Sequence, residues 1–182
     1  NQQKSAIDTT QQWRNRTVVT WNPPQMGQVK CNTDGAHYNA GSGATTAVFR
    51  NVEGKIITVN TSKALANSAI AVEAMTIRNV LKTAIQLNIN NLIIETDCQV
   101  LYRAIKSKQI IAEIKPVLHD IDILSQRVQQ LGFTWIPREA NKLPHQFAAL
   151  QQHSPTNRNW SQEFPTIIEN IISNEEEIAR AR

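Results

Sequence analysis

Three runs in which apolar and β-branched residues recur among small and polar ones, over 29–36, 44–51 and 55–62, follow one another with short polar breaks. Their length and composition predict strands. Asn51-Val52-Glu53-Gly54 supplies the second hairpin turn, and a looser turn through 37–43 supplies the first. The period then changes. Ile70, Ala74, Ile77, Leu81, Ala84 and Ile85 recur at helical spacing and predict a helix over 69–87. "NLIIET", 91–96, is short and apolar enough for a buried strand. Helical patterning resumes over 97–106 and again over 113–130, where Val117, Ile121, Leu124 and Val128 share a face. "GFTWIP" reads as a fifth strand stopped by Pro137, and a helix over 142–151 follows. Hairpins first and βα units later predict a mixed five-stranded sheet with helices on its faces.

The ends are patterned differently. Residues 1–27 are rich in Gln, Asn and Thr, close on Pro23-Pro24, and read as a polar arm ahead of a domain over 28–152. Residues 153–182 read as a linker, "SPTNRN", and an amphipathic helix with Ile167, Ile168, Ile171 and Ile172 on one face. That face is expected to dock on the domain; a protein partner bound through this helix is the alternative.

Composition narrows the function classes. The 182 residues are 41% hydrophobic and only 5% aromatic, with a net charge of +4 from scattered basic residues. That balance favours a polyanionic partner without forming a basic block. No stretch is long and apolar enough to span a membrane, and no secretion signal is visible. Two cysteines, Cys31 and Cys98, suit reduced thiols in an intracellular protein of the nucleus or cytoplasm. The first residue is Asn1, which reads as a piece of a longer protein.

Three carboxylates stand out against the pattern. Asp34 interrupts a strand, "CNTDGA", although aspartate is depleted in strands. Either Asp34-Gly35 starts a turn or the strand holds a rigid carboxylate. Glu73 lies on the edge of the first helix's apolar stripe, where a charge must escape, pair or bind a metal. Asp97 follows a buried strand and suits either a helix N-cap or a site at the strand's C-terminal end. If the first and fourth strands are neighbours and the first helix crosses them, the three acids converge. Clustered carboxylates repel unless they hold divalent cations, and oxygen ligands suit Mg²⁺ or Mn²⁺.

"VKCNTDGA", "GSGATTAVFRNVEGKI", "AVEAM", "IIETDCQVLYRAI" and "FTWIPREANKLPHQFA", in this order, resemble the ribonuclease H superfamily. More narrowly, they resemble the plant-type, reverse-transcriptase-like ribonuclease H domain of retrotransposons and related host proteins. The resemblance implies an α/β ribonuclease H-like fold, in which a five-stranded mixed sheet is antiparallel first and then parallel. It implies a two-metal nuclease cutting the RNA strand of RNA–DNA hybrids, with Asp34, Glu73 and Asp97 as metal ligands and Asp34 shared by both ions. His145 stands where the family's fourth acid follows an "AN" pair, as a ligand or as a plain helix residue. Glu139 is a substitute carboxylate. Arg138 and Lys142, with Arg103 and Lys106 on the following helix, are candidates for phosphate contacts. Ser68-Ala69-Ile70 replaces the Thr-Asn-Asn that contacts RNA in the family, and the loop "PREAN" is short. These departures leave an alternative: a catalytically weak or inactive module that binds nucleic acid or protein.

Overall fold

The computed structural model describes residues 19–39, 41–152, 158–160 and 163–181. Strands β1 (Val29–Asn39), β2 (Ser42–Arg50) and β3 (Ile56–Ala64) form the antiparallel part of the sheet. Helix α1 (Ala69–Gln86) leads to β4 (Asn91–Thr96), then α2 (Gln99–Ser107), α3 (Lys115–Ser125), β5 (Gln130–Trp135) and α4 (Lys142–Gln152). β4 runs parallel to β1, and β5 parallel to β4. The resulting order β5-β4-β1-β2-β3 is the expected mixed five-stranded sheet, with β1 at its centre. A short strand β6 (Arg158–Trp160) pairs with β3, and a final helix α5 (Thr166–Arg180) ends the described chain. The first 18 residues of the expected arm lie outside the described residues.

Alternation along the strands divides the core between the two faces. On one face Cys31, Phe49, Leu92 and Ile94 pack against Ala74, Ile77, Val80, Leu81 and Ala84 of α1, with Leu101 of α2 and Ile121 of α3. On the other, Val48 and Val59 pack against Leu143 and Phe147 of α4 and Ile168 of α5. Ile168, Ile171 and Ile172 of α5 thus dock on the domain, whereas Ile167, expected on the same face, is turned to solvent at 47% exposure.

Three boundaries differ from the sequence reading. α3 ends at Ser125, because Val128 is buried from the loop that enters β5 rather than from a helix. The first turn is tighter than predicted, with Asn39 paired to Ser42. β6 falls within the expected linker. Trp21, within the expected arm, is buried against the domain at 5% exposure.

Candidate metal centre

The sheet's register places two of the acids side by side. The last paired residues of parallel β1 and β4 are Thr33 and Thr96. Asp34 and Asp97 are therefore the next residues along two adjacent strands, at the C-terminal end of β4. Asp34 stays within β1, paired with Thr46 across β2, so the strand reading holds and the turn reading does not. Asp97 does not cap α2: its N-cap is Cys98, and no side chain caps it. The Asp97 carboxylate is left for other chemistry.

Glu73 arrives from above, and Gly35 admits it. A Cβ on Gly35 would lie 2.6 Å from the Glu73 backbone nitrogen and 2.8 Å from its Cα. Only a residue without a side chain lets α1 approach β1 so closely. The Gly35 amide then hydrogen-bonds to the Glu73 carboxylate. Glu73 does not lean toward solvent; it is 7% exposed, and its Oε2 has no hydrogen-bond partner among the described residues.

Ligand oxygens of Asp34, Glu73 and Asp97 lie within 4.8 Å of one another. Burial first, then the charges of Asp34 and Asp97, holds the Glu73 carboxyl well above its usual range. Burial and the neighbouring Asp34 likewise raise Asp97, partly offset by a hydrogen bond from Asn141. A buried carboxylate oxygen without a protein partner, within a knot of three acids, is a donor set that could hold a cation. The set is all oxygen and fits a hard divalent ion.

Asn141 is a residue whose role the sequence did not reveal. It is fully buried just before α4, and its Nδ2 donates to the Thr33 carbonyl at 2.8 Å. It ties the start of α4 to β1 and steadies Asp97. The "AN" pair was its only trace in the sequence.

The other candidates divide. His145, in the first turn of α4, places Nδ1 3.2 Å from Asp34 Oδ2 and 3.5 Å from Arg138 Nη2. It touches Asp34 but lies outside the knot of three. Arg138, from a 3₁₀ turn after β5, is close enough for its charge to favour ionised Glu73 and Asp97. Arg138, Glu139, Lys142 and His145 line one groove, so Glu139 is near the centre without joining its acids. Arg103 and Lys106 are exposed on α2, and Lys106 lines a separate cleft between α2 and α3. Ser68, in place of an RNA-contacting residue, caps α1 by accepting from the Ala71 amide, and its hydroxyl donates to Glu113. Cys31 and Cys98 are both free.

A reverse transcriptase-like family profile matches residues 32–151. The chain belongs to that family. With it comes the ribonuclease H superfamily, whose fold the solved structures share. A ribonuclease H1 from the halophilic archaeon Halobacterium salinarum superposes with a TM-score of 0.64 at 17% identity, over 69% of this chain and 98% of that one. A ribonuclease H1 from a compost metagenome, solved with an RNA/DNA hybrid, gives 0.60 at 18% identity over 67% and 94%. A foamy-virus protease–reverse transcriptase, also with a hybrid, gives 0.56 at 15% over 74% and 22%. The search among curated protein sequences found no match. In this reverse transcriptase-like domain the three acids all fall inside the matched span, and α5 falls outside it.

The raised carboxyls give a prediction for the metal-free domain. Between the ordinary carboxylate range and the raised folded value, the folded state keeps a proton that the unfolded chain has lost. Stability in chelator should therefore fall as pH rises through that window. Glu73→Gln removes the buried charge. It should stabilise the metal-free fold by about 1–3 kcal/mol at pH 8 and flatten its pH dependence. Urea melts in chelator at pH 5 and pH 8 measure this; a variant less stable than wild type at pH 8 would refute it.

Proposed function

We propose that this domain is a retroelement-derived, metal-dependent endoribonuclease that cleaves the RNA strand of RNA–DNA hybrids inside the cell. The observation that carries the reading is the convergence of Asp34, Glu73 and Asp97 around an unpartnered buried oxygen of Glu73. Solved neighbours of the same fold hold RNA/DNA hybrids. Divalent ions, Mg²⁺ or Mn²⁺, would supply an activated water and charge stabilisation at the scissile phosphate.

The chain's own residues do the rest. Asp34 is fixed by the β1–β2 ladder, Glu73 by the Gly35 amide, and Asp97 by Asn141. Burial and mutual charge favour the protonated forms of Glu73 and Asp97, so a cation held there would compete with protons and acidification should weaken metal binding. Arg138 and Lys142 offer positive charge to the phosphodiester backbone. His145 orients Asp34 through Nδ1, which leaves Nε2 facing away from that contact.

The test is cleavage of a labelled hybrid in Mg²⁺ and in Mn²⁺. Cutting of the RNA strand in either supports the reading. A protein that retains the hybrid without cutting it would be the binding module instead. His145→Ala should slow cleavage about 10- to 100-fold, the usual cost of losing a partner that orients a ligand. If His145 also ligates, wild type should prefer Mn²⁺, which accepts nitrogen, and His145→Asp should recover Mg²⁺-dependent cutting. Equal rates for His145→Asp and wild type in Mg²⁺ would remove the ligand role.

A further inference from the structure

The groove beside the acids is bounded by a residue that the matched family span does not contain. Its volume is about 360 Å³, and it is lined by Arg138, Glu139, Lys142, His145, Gln146 and Ile171. Five of these come from the 3₁₀ turn and the first turns of α4. The sixth, Ile171, belongs to α5, beyond residue 151 where the family match ends. α5 is firmly placed: Ile168 is fully buried among Val48, Val59, Leu143 and Phe147, and Glu175 pairs with the buried Arg50. The groove therefore combines an apolar side chain held in place by α5 with the charged side chains of the 3₁₀ turn and α4.

The groove joins the metal centre through His145, which touches Asp34 at 3.2 Å. A strand whose scissile phosphate lies at the acids has this channel open next to it. Arg138 and Lys142 suit the phosphate of an adjoining nucleotide, and Ile171 suits the apolar face of its sugar. Glu139 is the decisive group. A carboxylate costs binding of a polyanion unless a donor on that strand satisfies it. A ribose 2′-hydroxyl is such a donor, and deoxyribose offers none there. Gln146 adds an amide able to donate and accept.

Resting on the nuclease reading above, we propose that the groove between α4 and α5 is the RNA-strand subsite of this domain. Arg138 and Lys142 take the phosphate, Glu139 takes the 2′-hydroxyl, and Ile171 forms the wall against the sugar. Ribose recognition thereby falls to this groove in a chain where Ser68-Ala69-Ile70 offers it little at the start of α1.

Fluorescence anisotropy tests this with the intact chain in Ca²⁺, an oxygen-seeking ion larger than Mg²⁺. The probes are an RNA–DNA hybrid and a DNA duplex of the same sequence. Wild type should bind the hybrid at least about tenfold more tightly, the scale of one well-placed polar contact. Glu139→Ala, at an exposed position, should reduce that preference to within about twofold by tightening DNA binding. Ile171→Lys should tighten the hybrid and steepen its log–log salt slope by about 0.7–0.9, one added phosphate contact. Ile171→Glu should weaken it. Lys142→Glu, also exposed, should weaken it as well and reads the same groove if an Ile171 variant fails to fold. If wild type binds the hybrid but Glu139→Ala keeps its preference, and neither Ile171→Lys nor Lys142→Glu changes binding, the subsite is wrong while the nuclease reading stands. If wild type neither binds nor cuts the hybrid, the nuclease reading falls and takes the subsite with it.

Discussion

Asp34→Asn should reduce cleavage of an RNA–DNA hybrid by about a thousandfold or more, the scale on which losing a central charge-stabilising group acts. Asp34 is central because of where the backbone puts it. It follows the last β1–β4 pair, lies beside Asp97, and raises the carboxyls of both Glu73 and Asp97 by its charge. Asparagine has nearly the same shape and keeps the strand pairing with Thr46, so the fold should survive. What it loses is the anionic oxygen that, on the proposed reading, would hold the cations. The neutral side chain also relieves repulsion, so Glu73 and Asp97 should ionise at lower pH in the metal-free protein. The paired result, activity lost and metal-free stability unchanged or raised, separates a metal ligand from a structural residue. Single-turnover cleavage in Mg²⁺ and Mn²⁺, with urea melts in chelator, measures both. A variant that cuts within tenfold of wild type would remove the acid knot from the reaction.

The acids were legible in the sequence through their joint placement on strand, helix and strand end rather than one by one. A carboxylate within a strand and one on a buried helix edge are costly without a purpose, while Asp97 suited an N-cap equally well and stood out only with the other two and the family resemblance. What the sequence hid is how they meet. Gly35 read as half of an Asp-Gly turn pair, yet its role is a missing Cβ beneath the backbone of Glu73. A contact between a strand and the helix beyond the next two strands leaves no periodic trace. Asn141 was hidden for a similar reason, since its partners are the Thr33 carbonyl and Asp97.

Element boundaries failed where apolar periodicity outruns the helix. Val128 continues the stripe of Ile121, but the core receives it from a loop, so the pattern alone carried α3 too far. Three residues, "RNW", contain no period at all, and β6 forms only because β3 presents an unpaired edge. The isoleucine face of α5 was visible as a stripe. Its polar anchor was not, because Arg50 and Glu175 are 125 residues apart.

Glu175→Ala should destabilise the domain by about 3–5 kcal/mol, because it strands a buried cation. Arg50 is 2% exposed. Its guanidinium meets Glu175 Oε2 at 2.5 Å and Asn32 Oδ1 at 2.8 Å, and lies 3.2 Å from the centre of the Trp21 ring. Its Nε has no hydrogen-bond partner among the described residues. Burial lowers the Arg50 pKa, and Glu175 is the foremost of the groups that oppose this. The network reaches further: Asn32 donates to Glu95 Oε2, which also accepts from the Trp21 indole, while Lys30 pairs with Glu95 Oε1. One anion from α5 therefore supports a guanidinium that braces β1, β2 and the segment before β1. Removing that anion costs far more than an exposed pair would, since exposed pairs contribute about 0–1 kcal/mol. Replacing both partners gives the contrast. Arg50→Met with Glu175→Leu removes this buried pair while Glu95 keeps Lys30, and should recover most of the loss, as apolar replacements of buried ion pairs do. Urea denaturation of wild type, Glu175→Ala and the double variant measures this. If Glu175→Ala costs less than about 1 kcal/mol, α5 is held by its isoleucines alone, and the ion pair contributes no more than a surface contact.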